Sequence, residues 1–374
     1  MKILYDHQIF SLQKYGGISR YFFMIMNGLY QMNRIEFDLP VYFSHNQYLR
    51  KAPFTQHKTF FPEIRFGLKN YLEKWLKSKN QKMAVESLKK ESFDIFHPTF
   101  FGDYFLEPLG RRPFVLTVHD MIHSIYPQLF KKDNPVVRNT ENLARQSSAV
   151  IAVSENTKAD IIRFYGIDRE KVKVIHHGAP FSRQSAQKIR SKINLPFKYI
   201  LFVGIRRNYK NFIPFIQSIT GLMQKENIHV VCAGGGQFSG PERGFFKENN
   251  IEGSIHFIRI QNDDELISLY KQAELFAYPS LYEGFGLPIL EAFACGCPAA
   301  LSNRSSFPEV AGEAAAYFNP EDQGSMHEAV AQLLENKEQR KILTGNGYRR
   351  LEYFSWDRTV EKTVSVYTEV LSAK

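Results

Sequence analysis

Cysteine is scarce in this chain, which argues against two common ways of stabilising a protein. The 374 residues include three cysteines, Cys232, Cys295 and Cys297, and no pair of CxxC motifs. An odd count without such motifs supports neither a disulfide framework nor a zinc site. We expect all three thiols to be reduced and packed, and we predict no metal ion in the protein.

The chain also lacks a long apolar run. No stretch approaches the roughly 18 to 20 residues that cross a bilayer. The N-terminus reads as a strand, Ile3 to Tyr5, and does not have the layout of a signal peptide. With 44% hydrophobic and 23% charged residues and no low-complexity tract, the composition is typical of a folded globular protein. We therefore expect a cytoplasmic protein.

Two familiar binding signatures are missing as well. Gly16 and Gly17 follow the first predicted strand, but the dinucleotide fingerprint GxGxxG and its acidic partner are absent. The formal net charge of +10 is not accompanied by a nucleic-acid-binding motif. A nicotinamide oxidoreductase therefore stays only as an alternative, and we predict no cofactor and no nucleic acid partner.

What the chain does contain is an alternation of short apolar strands and helical patterns, which is typical of βαβ units around parallel sheets. In the first half we predict strands at Lys2 to Tyr5, Glu36 to Phe43, Phe93 to Phe96, Phe114 to Val118, Ala149 to Val153 and Val172 to Ile175. In the second half we predict strands at Tyr199 to Val203, His229 to Ala233, Ser254 to Phe257, Leu275 to Tyr278 and Pro298 to Leu301. The helices predicted there lie near Asn211 to Gln224, Asp263 to Gln272 and Pro288 to Ala294.

The length of the chain predicts two domains, because 374 residues exceed what one hydrophobic core usually fills. We place a Rossmann-like domain at residues 1–180, a linker at 181–196, a second Rossmann-like domain at 197–355 and a closing helix at 356–374. The linker prediction depends on a polar stretch punctuated by proline.

The positive charge is concentrated in residues 50–90, which hold eleven basic residues against three acidic ones. Five large apolar residues of this segment fall at helical spacing: Leu68, Tyr71, Leu72, Trp75 and Leu76. Two interpretations stay open. Either the apolar stripe packs into its own domain, or the helix rests on an anionic membrane, to which each nearby lysine adds about 1 kcal/mol.

The segment Ser280 to Glu291 carries the strongest signal of a binding site. Gly284 and Gly286 free the backbone to approach a ligand, and Pro288 suits the first turn of a helix. A helix N-terminus attracts phosphate oxygens through its free amides, which here belong to Phe285, Gly286 and Leu287.

Two carboxylates accompany these amides. Glu283 precedes the predicted helix and Glu291 lies about one turn inside it. A carboxylate can accept hydrogen bonds from two adjacent hydroxyls, which suits sugar diols. The segment therefore predicts a site for a phosphorylated, polyhydroxylated ligand, and a capped helix with surface glutamates is the alternative.

Basic side chains follow the first strand of the second predicted domain. Arg206 and Lys210 lie in a loop between a strand and a helix, where both could neutralise a diphosphate. A basic loop on a basic protein is the alternative.

A histidine directly follows a strand of the first predicted domain. At that place His119 could donate to a ligand hydroxyl or stabilise developing charge, with Asp120 orienting its ring. Spacing does not separate it from four rivals, His97, His123, His176 and His177. Because these histidines lack acidic partners at ligand spacing, we predict no metal site.

The order of these features resembles that in retaining glycosyltransferases of family 4. It runs through Gly16-Gly17, His119, Val153 to Asp160, Lys210-Asn211 and Glu283 to Glu291, and continues into Gly296 to Pro298, Ser305 to Val310 and Gly312 to Ala314. The resemblance implies an α/β protein of the GT-B fold. In that fold two Rossmann-like domains face a cleft, and a C-terminal helix crosses back to the first domain.

The resemblance also implies roles for the candidate residues of the second domain. Glu283 would contact the transferred sugar, and Glu291 would contact the ribose hydroxyls. Arg206 and Lys210 would hold the diphosphate, although their short spacing leaves Arg207 competing with Arg206. The sugar and phosphate would be supported by the amides of Phe285, Gly286 and Leu287.

In the first domain, which would bind the acceptor, the same resemblance gives roles to three residues. Gly16 and Gly17 would approach the diphosphate, and His119 would meet the donor sugar near the reacting carbon.

The implied activity is that of a retaining hexosyltransferase that needs no metal ion. Departure of a nucleoside diphosphate builds up negative charge, which Arg206, Lys210 and the helix amides match. The favoured donor is GDP-mannose, and the favoured acceptor is a glycan or lipid-linked saccharide of cell-surface polysaccharide synthesis. The membrane interpretation of residues 50–90 would place the enzyme on the inner face of the membrane. A non-catalytic nucleotide-sugar-binding partner subunit and a transferase that uses a UDP-sugar are the alternatives.

Overall fold

The protein is represented by a computed structural model that describes residues 1–55, 57–59, 66–130, 135–190 and 192–373. The chain forms two compact units, one of Met1–Gly178 with Trp356–Lys374 and the other of Ala179–Ser355. Residues 181–196, predicted as a linker, lie in the second unit, and a short helix with a capping box at Ser182 begins there.

The strands, numbered in chain order, are divided between the two units. The first unit contains β1 (Lys2–Tyr5), β2 (Glu36–Asp38), β3 (Phe43–Ser44), β4 (Lys58–Thr59), β5 (Ile95–His97), β6 (Val115–Val118), β7 (Ala149–Ala152) and β8 (Val172–Val174). The second contains β9 (Tyr199–Val203), β10 (His229–Ala233), β11 (Ile255–Ile258), β12 (Leu275–Tyr278), β13 (Ala299–Ser302) and β14 (Ala315–Phe318).

The α-helices are numbered in the same way. They are α1 (Gln8–Leu12), α2 (Gly17–Met32), α3 (Phe66–Lys89), α4 (Leu106–Leu109), α5 (Ile122–Ile125), α6 (Pro135–Gln146), α7 (Glu155–Tyr165), α8 (Arg183–Lys188), α9 (Phe212–Glu226), α10 (Gly240–Glu248), α11 (Asp263–Gln272), α12 (Leu287–Ala294), α13 (Phe307–Ala311), α14 (Gln323–Glu335), α15 (Lys337–Leu351) and α16 (Trp356–Ser372). In the described ranges, no helix combines the length and the apolar character that a membrane span requires.

The first unit is built on parallel strands. One sheet has the order β2-β1-β5 and another the order β6-β7-β8, and a parallel bridge from Phe96 to Phe114 connects them. The strand predicted at Glu36 to Phe43 is interrupted, since β2 ends at Asp38 and β3 begins at Phe43. Pro40 lies in the gap and has no N–H to donate to a strand ladder.

The last helix, α16, belongs to the first unit, as predicted for a C-terminal helix that crosses back. Val360, Val366 and Tyr367 join the core formed around β1 and α2. The buried hydroxyl of Tyr367 lies 2.9 Å from the hydroxyl of Tyr5 and 2.6 Å from Nδ1 of His97. Polar contacts as well as apolar packing therefore hold α16 in place.

The second unit has one six-stranded parallel sheet in the order β11-β10-β9-β12-β13-β14. Its strand order reverses between β9 and β12, because β10 and β11 follow on one side and β13 and β14 on the other. Ligands of open α/β sheets bind outside the carboxyl ends of the strands at such a switch point. The loops after β9 and β12 are therefore the place to look for a site. The parallel α/β architecture predicted from the sequence is confirmed in both units.

Candidate functional site

The loops after β9 and β12 are joined to each other. The N–H of Leu281 donates to the carbonyl of Tyr209 at 2.7 Å. Since Tyr209 follows β9 and Leu281 follows β12, this bond closes the site at the switch point of the second sheet.

An ion pair connects the same two loops. Lys210 Nζ lies 2.5 Å from Glu283 Oε1 and 3.2 Å from the hydroxyl of Tyr278. The exposed fractions of the two charged side chains are 10% for Lys210 and 14% for Glu283. Burial and the neighbouring Glu283 raise the pKa of Tyr278 well above its ordinary value, so its hydroxyl keeps its proton. The fold thus brings together two predicted site residues that lie 73 positions apart.

The backbone of Glu283 is held by two serines. Its N–H donates to Ser305 Oγ at 3.0 Å, and the hydroxyl of Ser306 donates to the carbonyls of Glu283 and Phe285, each at 3.0 Å. In the sequence these serines stand out only as part of the family pattern. Their role here is to fix the loop that presents Glu283.

The turn into α12 needs a glycine. Gly286 has a φ of 98° and a ψ of 53°, and an added Cβ would lie 3.0 Å from Ile289 Cδ1. Leu287 is the first helical residue and is followed by Pro288 in the first turn. Within the part of the chain that the structure describes, the N–H groups of Gly286 and Leu287 have no hydrogen-bond acceptor. These amides have the character of an anion site.

The second predicted carboxylate is buried in the same helix. Glu291 is 7% exposed, and the hydroxyl of Tyr270 donates to its Oε2 at 3.1 Å. Burial, together with Glu291, raises the pKa of Tyr270 well above its ordinary value. Burial also raises the pKa of Cys295 to about 12, and the charge of Glu291 adds to this. This thiol and the two other cysteines are free.

Arg206 directs all of its guanidinium nitrogens at the chain itself. Nε donates to Glu242 Oε1 at 2.8 Å, and Nη1 donates to the carbonyl of Gly234 at 3.0 Å. Nη2 donates to the carbonyls of Gly236 and Gln237 at 2.8 and 3.1 Å. The side chain is 2% exposed.

The loop that Arg206 holds follows β10 and contains three glycines with positive φ. The φ values of Gly234, Gly235 and Gly236 are 90°, 72° and 76°. A Cβ on Gly235 would lie 2.9 Å from Nη1 of Arg206, so the guanidinium occupies the space a side chain would need. Arg207, by contrast, is exposed.

In the first unit, Gly16 and Gly17 form the start of α2. Gly16 is the N-cap residue, with an extended φ of 172°, and a Cβ there would collide with the side chain of Gln13. Oε1 of Gln13 accepts the N–H of Ser19 at 3.1 Å. In the described chain no acceptor is found for the N–H groups of Gly17 and Ile18. A second helix N-terminus with available amides therefore exists.

His119 is buried and neutral. Burial, with a further contribution from His97, lowers its pKa to about 3. Its ring lies edge-on to Tyr21 at 5.1 Å between centroids, and its Nε2 has no hydrogen-bond partner among the described residues. Asp120 instead accepts the N–H of Ile122 at 3.1 Å.

The rival histidines have other surroundings. His97 engages both ring nitrogens, with Tyr367 at 2.6 Å and Thr117 Oγ1 at 2.9 Å, which gives it a structural role. The ring of His177 stacks on that of His119 at 6.0 Å. The ring of His123 packs on Phe130 at 4.0 Å. Over the described ranges, no three His, Cys, Asp or Glu side chains come together as metal ligands would.

Two family models match adjacent parts of the chain. Residues 15–183 match Glycosyltransferase Family 4, and residues 184–350 match Glycosyl transferases group 1. The chain is 29% identical over 282 residues to the O-antigen chain mannosyltransferase B of Escherichia coli, covering 72% of this chain and 73% of that protein. It is 28% identical over 309 residues to an uncharacterized glycosyltransferase of Methanocaldococcus jannaschii, covering 76% and 79%.

Solved structures show the same architecture. A sucrose-phosphate synthase from Thermosynechococcus elongatus matches with a TM-score of 0.77 at 18% identity, covering 100% of this chain and 99% of that one. Anabaena HepE in complex with UDP-glucose matches with a TM-score of 0.74 at 18% identity, covering 100% of both chains. At this identity the likeness concerns the fold, and it confirms the predicted GT-B class. With a family 4 model over its first half, a group 1 model over its second and this fold throughout, the chain belongs to the group 1 glycosyltransferases of family 4.

Proposed function

We propose that this protein transfers mannose from GDP-mannose to a glycan or lipid-linked saccharide in cell-surface polysaccharide synthesis, with retention of anomeric configuration and without a metal ion. The choice of sugar is supported by relatives named as mannosyltransferases, among them a serotype-specific mannosyltransferase of Escherichia coli that is 28% identical over 240 residues. The observation that carries the proposal is the nearly buried Lys210–Glu283 pair at the switch point of the second sheet.

Lys210 and Glu283 suit the two charges of a nucleotide sugar. On donor binding, Lys210 donates to the diphosphate and Glu283 accepts hydrogen bonds from sugar hydroxyls, so that each exchanges its present partner for the ligand. The amides of Gly286 and Leu287 meet phosphate oxygens. These groups act on charge that grows as the diphosphate leaves, which is where preorganised donors contribute most.

Arg207 suits the role of the second cation of the site better than Arg206 does. Every nitrogen of Arg206 already donates within the chain, and recruiting it would leave Glu242 and the glycine loop without their partner. Arg207 is exposed and directly follows it.

Glu291 remains our candidate for the ribose hydroxyls. Tyr270 donates to Oε2 and fixes the carboxylate, and a carboxylate can accept hydrogen bonds from several donors, including the hydroxyls of a diol. From the first unit, we propose that the amides at Gly17 bind phosphate. Neutral His119 donates to a hydroxyl of the donor sugar without placing a positive charge beside a cationic ring.

A thermal-shift panel of nucleotide sugars, followed by a transfer assay, tests the proposal. GDP-mannose should raise the melting temperature more than UDP-glucose or UDP-galactose does, and NAD should have no effect. Product formed in the presence of EDTA, with retained configuration by NMR, would support the mechanism. A larger shift with a UDP-sugar would mean that the donor is a UDP-sugar and not GDP-mannose. Donor binding without turnover in the presence of any membrane extract would favour a non-catalytic partner subunit. A melting-temperature shift with NAD and with none of the nucleotide sugars would contradict the proposed glycosyltransferase activity.

We also propose that α3 touches an anionic membrane. Three apolar residues of the predicted stripe, Leu68, Tyr71 and Leu72, lie outside the described side chains. In the described part of α3, the buried face consists of Leu76, Asn80, Ala84 and Leu88. Trp75 is 44% exposed and carries the ammonium of Lys79 over its ring at 4.5 Å, beside exposed Lys77 and Lys82.

Sedimentation with phosphatidylglycerol vesicles tests this membrane contact. Binding should occur at low salt, decline at high salt and weaken in a Lys77→Glu, Lys82→Glu variant, because each lysine contributes about 1 kcal/mol. Lys247→Glu, at an exposed position of the second unit, is the matched control. Binding that is absent or insensitive to salt would leave α3 as a structural helix.

A further inference from the structure

The turn after β1 contains a buried histidine that the proposed donor chemistry does not use. His7 is 7% exposed and precedes the short helix α1. It lies at the carboxyl end of a parallel strand, which is the edge of an α/β sheet where ligands bind. Its Nε2 is buried and has no hydrogen-bond partner among the described residues.

The adjacent carboxylate cannot serve that nitrogen, because Asp6 is already satisfied. Its Oδ1 accepts from the N–H of Gln8 at 3.3 Å and from the N–H and hydroxyl of Thr99 at 2.9 and 2.6 Å. Its Oδ2 accepts from Gln8 Nε2 at 2.7 Å and from the hydroxyl of Tyr104 at 3.0 Å. Asp6 therefore ties the end of β1 to the turn after β5 and keeps His7 in place.

The other ring nitrogen of His7 is reached through a chain of hydrogen bonds that begins at Asn80. Oδ1 of Asn80 accepts the N–H groups of Tyr42 and Phe43 at 2.8 and 3.1 Å. Its amide orientation is thus fixed, and Nδ2 donates to the carbonyl of Phe43 at 2.8 Å and to Ser11 Oγ at 2.9 Å. Ser11 is therefore an acceptor toward Asn80.

The hydrogen bonds of Ser11 indicate which ring nitrogen of His7 carries the proton. Ser11 Oγ lies 3.1 Å from Nδ1 of His7, and we assign its hydroxyl proton to a hydrogen bond with that nitrogen. Burial lowers the pKa of His7 and outweighs the opposing effects of Asp6 and of a hydrogen bond to the residue's own backbone, so the ring is neutral. The single ring proton is consequently on Nε2, the nitrogen without a partner. A buried N–H without an acceptor destabilises the protein.

We propose that the Nε2–H of His7 donates to an oxygen of the saccharide acceptor, which makes His7 an acceptor-recognition residue. That the ligand is a saccharide rests on the proposed function. Tyr104 adds an aromatic wall, since its ring lies 5.8 Å from that of His7 and its hydroxyl is held by Asp6. An aromatic side chain beside one oriented polar group is typical of small-molecule sites.

The first test is NMR on protein labelled with ¹⁵N-histidine, with octyl α-mannoside as the probe. Long-range ¹H–¹⁵N correlations should show His7 protonated at Nε2, and its signals should move when octyl α-mannoside is added. Protonation at Nδ1, or signals that do not respond to the probe, would overturn the proposal. This readout needs no donor, so it decides the inference even if the protein transfers no mannose and the proposed function fails.

The second test uses transfer kinetics with GDP-mannose and octyl α-mannoside. His7→Asn, whose amide can replace only Nδ1, should raise the acceptor KM about tenfold and leave the donor KM unchanged. His7→Gln, which places an N–H near Nε2, should restore most of the loss. An unchanged acceptor KM in His7→Asn would overturn the proposal, as would a parallel rise of both KM values with a lowered melting temperature.

Discussion

The loop after β9 contributes the basic residue to two buried ion pairs, which differ in how many hydrogen bonds that residue makes within the chain. Arg206 pairs with Glu242 at 2.8 Å and also donates to three carbonyls. Lys210 pairs with Glu283 at 2.5 Å, and its other hydrogen bond goes to the hydroxyl of Tyr278. The first pair is saturated by the fold, whereas the second can exchange partners.

We propose that this difference separates a structural ion pair from a ligand-binding one. Burial raises the pKa of Glu242, but hydrogen bonds from Ser239 and Arg206 bring it below its ordinary value, so the pair stays ionised. Displacing Arg206 would break its ion pair with Glu242 and would also remove its hydrogen bonds to the glycine loop. Displacing Lys210 from Glu283 leaves a cation and a carboxylate, which are the groups that a diphosphate and a sugar diol require.

The largest expected effect is on transfer by Glu283→Ala. We expect transfer to fall by roughly 10² to 10³ or more, because the variant loses a group that acts on the reacting sugar. Glu242→Gln is the matched control at the other pair, and it should lower stability while turnover persists. Near wild-type activity in Glu283→Ala would remove Glu283 from the site.

The next effect concerns stability. Arg206→Ala should lower the free energy of unfolding of the second unit by about 3 to 5 kcal/mol, since Glu242 is left buried and unpaired. Arg206→Lys should rescue little, because one ammonium cannot reproduce the planar fork that reaches several acceptors. Chemical denaturation measures the change. A fully stable Arg206→Ala protein that has lost only donor binding would reverse the roles of Arg206 and Arg207.

Acid should destabilise the first unit. His97 and His119 have folded pKa values lowered to about 3 from 6.5, so the unfolded state binds more protons between these values. The stabilising contribution of each histidine is therefore complete above pH 6.5. As the pH falls from 6.5 toward 3, the free energy of unfolding decreases by about 1.4 kcal/mol per pH unit for each histidine. Denaturation at several pH values tests this slope. His119→Asn should reduce it by one proton, and an unchanged slope would contradict the burial of His119.

The smallest effect is expected at Arg207. Arg207→Ala should weaken GDP-mannose binding about tenfold, the equivalent of 1.4 kcal/mol, and leave the melting temperature unchanged. Calorimetric titration measures the affinity. Unchanged affinity would mean that Lys210 and the helix amides hold the diphosphate without help from Arg207.

Much of the fold was predictable because periodic apolar patterns mark buried strands and helices. The predicted bounds of β10 and α11 match those of the structure. The strand β14 was missed, because Ala315–Phe318 has two alanines and no β-branched residue. The interruption of the predicted strand Glu36 to Phe43 near Pro40 could have been predicted, since a proline cannot donate a hydrogen bond within a sheet.

The site was predictable in its parts but not in its pairings. The choice between Arg206 and Arg207 depends on groups 28 to 36 residues away, Gly234 and Glu242, which the sequence does not place. His7 was missed, although the rule that selected His119 applies to it, since Asp6-His7 directly follows β1. Applied to every strand, the rule would have named His7, but only the geometry identifies its unpartnered nitrogen.

The most direct test of the account is calorimetric titration of GDP-mannose into the wild type, Lys210→Met and Arg206→Lys. We expect saturable binding to the wild type, a loss of about tenfold or more in Lys210→Met, and near wild-type affinity in whatever fraction of Arg206→Lys remains folded. No binding of any nucleotide sugar to the wild type would contradict the account, as would equal affinity in Lys210→Met.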